Sequence, residues 1–210
     1  MVKTIIKTLG LLLFPIPLIT ILMGTFLWLQ KEGIFPRSST SIAGIIIDIF
    51  VLSVYLFLLY RLNLFSLIKI KPPTIWKLII YLIIAFVLYG IHNYFKYDNG
   101  FFQLNISNYP WTKWISTLLI APVLEEITFR GIGIEYMKRH NFSNWVIVLL
   151  TSFIFGIFHV PSLFGLESIS LWDIEVFVFP ILLALIYMKE RNLIYCIFIH
   201  SLWNLLVYLF

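Results

Sequence analysis

Residues 124–130 read Leu124-Glu125-Glu126-Ile127-Thr128-Phe129-Arg130. They set two carboxylates and a guanidinium inside an apolar segment that runs over 114–137. On a soluble helix such charges would be a solvated face. This chain, however, is 61% hydrophobic and 12% charged over 210 residues, against the roughly 25% charge of soluble domains. Its mean hydropathy is +0.98. At about 20 residues per span, the expected fold is an all-α, multi-pass transmembrane helical bundle of about seven (six to eight) spans. Ionisable residues inside such spans are costly and mark function.

Working outward, apolar runs bounded by charges or turn residues fall at 9–29, 42–60, 78–95, 114–137, 144–159, 174–188 and 193–210. The first run is longer than a signal peptide's apolar region and lacks a small-x-small closing site, so it reads as a retained span. A short re-entrant piece over 161–173 is the other reading of that stretch, and 96–111 reads as a turn-rich connection. We expect a single integral membrane domain over 1–210, with scaffold helices in 1–113 and a core bearing the buried polar residues in 114–210.

Seven helices put the termini on opposite sides of the bilayer. The N-terminal side then carries Lys3, Lys7, Arg61, Lys69, Lys71, Lys77, Lys138, Arg139, Lys189 and Arg191. The other side carries Lys31, Arg37, Lys96 and Lys113. The positive-inside bias therefore predicts a cytoplasmic N-terminus. It also explains the net charge of +5 without a nucleic-acid partner; the partner that composition requires is the lipid bilayer. With Cys196 as the single cysteine, intramolecular disulfides and multi-cysteine metal sites are excluded.

In the second half, polar residues fall at helical spacings. Ser152, Phe155, Gly156 and His159 share a face, and the pair Ser152/Gly156 allows a second helix to approach closely. Pro161 predicts a helix end just after His159. Cys196, His200 and Asn204 form a stripe that points into the bundle. At ~1.5 Å per residue, Glu125 stands about 21 Å from Arg139 and His159 about 22 Å from Asn144. By the same rise Asn204 and His200 stand about 20 Å and 14 Å from Arg191. The four groups thus fall in one layer, beyond mid-membrane as seen from the N-terminal side.

Glu125 and Glu126 point about 100° apart on a helix, so they have different tasks. Glu126 precedes Arg130 by four residues, the spacing and order of an intrahelical ion pair. Glu125 has no cation at that spacing and is the freer carboxylate. A carboxylate beside a neutral imidazole can deprotonate water. A second histidine with an Asn amide can donate to an oxyanion. The alternative use of Glu125, His159 and His200 is to bind zinc with an open fourth position, although Asn204 is a poor zinc ligand.

Glu-Glu-x-x-x-Arg at 125–130, Phe-x-x-x-His at 155–159 and His-x-x-x-Asn at 200–204, in this order on successive apolar helices, resemble the CPBP family of intramembrane proteases. That family includes type II CAAX prenyl endopeptidases and Abi-type proteins, some of them linked to bacteriocin immunity. The resemblance covers about 114–210. It implies that Glu125 is the general base, His159 its partner, and His200 and Asn204 the oxyanion hole, with Glu126, Arg130 and Phe155 supporting. It further implies a membrane-bound peptide or protein substrate and a metal-free mechanism with no cofactor, zinc being the alternative. Prenyl-processing members work from the cytosolic side, which the depth reckoning does not match.

The Ile-, Phe- and Lys-rich usage suggests a bacterial plasma membrane. The other class open at this point is non-proteolytic: an immunity or scaffold protein, or an ion-coupled carrier using the same polar cluster. Glu135, His140, Glu167, Asp173 and Glu175 read as solvated, His92 as a headgroup-level residue, and Asp48 as undecided.

Overall fold

The computed structural model describes residues 2–36, 39–96, 110–160 and 175–209. Among them, seven helices follow one another and no strand forms. α1 comprises Val2–Leu13 and Pro15–Lys31 with a break at Phe14. α2 is Thr40–Arg61 and α3 Ile75–Lys96. α4 runs continuously from Trp111 to Arg139. α5 is Asn144–His159, α6 Glu175–Glu190 and α7 Leu193–Leu209. Each expected span has its helix, so the protein is an all-α membrane bundle. The suggested re-entrant piece at 161–173, with Glu167 and Asp173, and residues 97–109 of the expected connection lie outside the described residues; its ends, Lys96 and Trp111, are helical.

Lys3–Lys31, Ile42–Arg61 and Ile75–Tyr94 are long and apolar enough to cross a membrane, and they turn large apolar side chains such as Trp28, Ile46, Phe57 and Ile83 outward. The break in α1 has a local cause. Pro15 has no N–H to give the Leu11 carbonyl, and the Tyr55 hydroxyl of α2 donates to that carbonyl instead, at 2.8 Å. In lipid, where every backbone group needs a protein partner, such a substitute is required.

α4 is the axis of the bundle. It packs against α1, α2, α5, α6 and α7, and every residue from Glu126 to Met137 is buried. The charges of 124–130 are therefore shielded from lipid by other helices. Close approach rests on small residues. A Cβ on Gly133 would come within 3.0 Å of Leu12, and one on Gly156 would overlap the Phe177 ring. The second of these is the contact between α5 and α6 that Ser152/Gly156 predicted.

The turns after α2, α4 and α6 gather at one end. Arg139 donates to the carbonyls of Leu62 and Asn63. Lys77 pairs with Glu190 at 2.7 Å, and Asn192 donates to the Lys71 carbonyl at 2.9 Å. Val2–Leu13 packs against Glu135–Arg139 at the same end, so the basic residues of these turns share one face of the bundle. Glu135 departs from its expected solvated position. It is 1% exposed and accepts from the Tyr187 hydroxyl at 2.8 Å and from Arg191 at 2.6 Å. Its place near a helix end suggested water, but α6 and α7 close over that end.

Candidate active site

The axial helix widens twice, in π-helical turns at Ser116–Ile120 and Ile127–Ile134. Between them Ala121–Glu126 is α-helical and carries Glu125 and Glu126. Such widenings are frequent at functional sites. The first frees a backbone acceptor. The Ala121 N–H bonds the Ser116 carbonyl, and the next donor in that register would come from Pro122, which has none. Asn204 of α7 donates its side-chain amide to the Thr117 carbonyl at 2.9 Å and so takes that place. In the same turn Ser116 donates to Asp48 of α2 at 2.9 Å, which gives the undecided Asp48 a structural partner.

Glu125 Oε2 lies 3.7 Å from His159 Nε2 and 3.7 Å from His200 Nε2. Both separations exceed a hydrogen bond, and this oxygen has no such bond among the described residues. His159 ends α5 because Val160, the residue before a proline, is extended at φ −91 and ψ 102, as proline requires of its predecessor. Its Nδ1 meets the Phe155 carbonyl at 2.8 Å. A carbonyl only accepts, so Nδ1 carries the proton and a neutral His159 turns an acceptor Nε2 toward Glu125. Its ring stacks on Phe155 at 4.2 Å and 8°.

Glu126 is fully buried and binds two partners through one oxygen. Its Oε1 stands 3.0 Å from Arg130 Nη1 and 2.8 Å from His200 Nδ1. Arg130 also donates to the Pro180 carbonyl at 2.9 Å and lies over the Phe155 ring at 5.4 Å, an attractive position for a cation. The expected Glu126–Arg130 pair is present, but its carboxylate also reaches across to α7.

The structure thus brings Glu125, Glu126, Arg130, Phe155, His159 and His200 together from α4, α5 and α7. Asn204, one turn beyond His200, shares with His159 and His200 the wall of a chamber of about 190 Å³. Glu175 lines this chamber as well, and its Oε2 lies 3.0 Å from His92 Nε2. Glu175 does not have the solvated position expected of it. Glu175 and His92 come from α6 and α3, and no spacing along one helix signals a contact between them. The link from Glu126 to His200 was missed for the same reason.

The donors for zinc are Glu125, His159 and His200. Ligands at about 2.0–2.1 Å around a tetrahedral zinc stand roughly 3.3 Å from one another, closer than the 3.7 Å found here. Among the described residues no three His, Cys, Asp or Glu side chains are grouped so as to hold a metal.

Carboxylates and imidazoles thus converge in the interior of a polytopic helical membrane protein. The comparison with families is more particular: residues 107–206 match the family model described as type II CAAX prenyl endopeptidase Rce1-like. This segment, which holds every motif residue above, is similar to that family. The chain is an integral membrane protein carrying a domain of the intramembrane CAAX-type endopeptidases, whose substrates are membrane-associated peptides. No curated protein and no solved structure matches the chain.

Proposed function

We propose that the protein is a metal-free intramembrane endopeptidase in which Glu125, assisted by His159, activates the water that cleaves a peptide bond in a membrane-associated peptide or protein. The observation that carries this reading is the equal 3.7 Å approach of two imidazole Nε2 atoms to one Glu125 oxygen, inside the matched domain. Catalytic hydrogen bonds tighten when substrate binds.

Glu125 takes a proton from water, and the water oxygen bonds to the scissile carbonyl carbon. The carbonyl oxygen becomes an oxyanion. His200 and Asn204 supply its donors. With Nδ1 bound to Glu126, His200 donates through Nε2 only as an imidazolium, and the Glu126 carboxylate stabilises that form much as the aspartate of a Ser-His-Asp triad holds its histidine. Glu126 is then a positioning residue for His200, and Arg130 balances its charge. The carbon–nitrogen bond breaks as the leaving amine takes back the proton held by Glu125 and His159. Peptides of a bacterial plasma membrane are the proposed substrates, with the end bearing Arg139 and Arg191 in the cytoplasm.

Glu125→Ala and His159→Ala should abolish cleavage of membrane peptides by purified protein while leaving insertion intact. Cleavage by Glu125→Ala at the parent's rate would make the assignment wrong. Stoichiometric zinc in active protein, with activity lost on chelation and restored by zinc, would replace the metal-free form with the zinc one.

A further inference from the structure

We infer that the N-terminal helix α1, which lies outside the matched segment, completes an apolar recess that takes one side chain of the substrate beside the bond cut, so that Leu12 and Ile19 determine sequence preference. The inference rests on the endopeptidase reading and goes beyond it.

Two cavities meet at His159. The chamber described above holds His200 and Asn204 on its wall and does not include Glu125. The second, of about 140 Å³, is lined by Glu125 and His159 and otherwise by Leu12 and Ile19 of α1, Leu124, Thr128 and Phe129 of α4, and Phe158 of α5; the Thr128 hydroxyl is turned to the Leu124 carbonyl. The groups that activate water therefore face one cavity and the oxyanion donors face the other, with His159 common to both. A peptide bond placed between Glu125 and His200 has one flank at each cavity.

The recess is small and apolar. A dry cavity of about 150 Å³ lined by Leu, Ile and Phe holds one benzene, so 140 Å³ suits a single phenyl or branched aliphatic side chain. A polyisoprenyl chain, more than twice the size of benzene, does not fit. The two α1 residues stand on either side of the break at Phe14, and Tyr55 holds that break through the Leu11 carbonyl. Leu12 is 1% exposed and packs with Phe129, Ile154 and Phe155, which makes Ile19, only partly buried, the better residue to vary.

The test uses full-length protein in lipid nanodiscs and a set of membrane-inserting peptides in which each residue flanking the cut bond is in turn Ala, Leu, Phe or Trp. One further peptide carries an S-farnesyl cysteine there. The parent should favour Leu or Phe at one flank. Ile19→Ala should raise kcat/KM for Trp relative to Leu by about tenfold or more, and Ile19→Trp should shift preference toward Ala by a similar factor, in line with the 10–200-fold discrimination of a methylene in an apolar pocket. Unchanged preference in both variants, or an Ile19-dependent advantage of the farnesyl peptide, overturns the inference and leaves the endopeptidase reading standing. Absence of Glu125-dependent cleavage of every peptide by the parent overturns both.

Discussion

Replacing Glu126 with Gln tests the buried junction most directly. Glu126 and Arg130 are 0% and 1% exposed, and their charged atoms are 3.0 Å apart. At an effective dielectric constant of about 20 their attraction is about 5 kcal/mol, and breaking a buried pair by removing one partner costs about 3–5 kcal/mol. Glu126→Gln should therefore lose about 3–5 kcal/mol, because among the described residues Arg130 then keeps its charge with the Pro180 carbonyl and the Phe155 face as its remaining partners. Adding Arg130→Met removes the stranded cation and should recover most of that loss. Activity should not recover, because His200 still lacks the carboxylate at its Nδ1; a fall of about 10²-fold in kcat is expected for both variants. Reversible unfolding in mixed micelles, followed by tryptophan fluorescence, gives the stabilities, and peptide cleavage gives the rates. If the double variant were no more stable than Glu126→Gln alone, the pair would not be coupled and the account of the junction would fail. If Glu126→Gln kept full kcat, its positioning of His200 would be refuted.

Tyr55→Phe takes the hydroxyl donor from the part-buried Leu11 carbonyl and should cost about 1–3 kcal/mol, measured by the same unfolding. Glu135→Gln should cost about 3 kcal/mol by stranding Arg191, whereas a solvated glutamate there would change stability by less than about 0.5 kcal/mol. With Cys196 left in place, since it is fully buried, Lys138→Cys should react with an impermeant maleimide in inverted vesicles and not in right-side-out cells. Labelling from outside would reverse the proposed orientation.

What the sequence determined by itself was whatever depends on one helix at a time. The spans follow from hydropathy, the Glu126–Arg130 pair from a spacing of four residues, the end of α5 at His159 from the following proline, and the close approach of another helix to α5 from Ser152 and Gly156, with α6 as that helix known only from the structure. Helix geometry places residues four apart on one face, so these features are local and legible. The basic residues grouped by charge counting also share an end, because short turns leave few alternatives.

Tertiary structure alone decided which carboxylate serves which partner. Glu126 reaches His200 of α7, Glu135 is buried rather than solvated, Asn204 replaces a donor missing from α4, and α1 walls a recess beside Glu125. Each of these depends on how two helices are rotated about their own axes and how closely they pack, and small residues and π-helical turns set both at a distance in sequence. The three charges of 124–130 accordingly divide by contact: Arg130 and Glu126 form a junction that fixes His200, and Glu125 faces the two imidazoles.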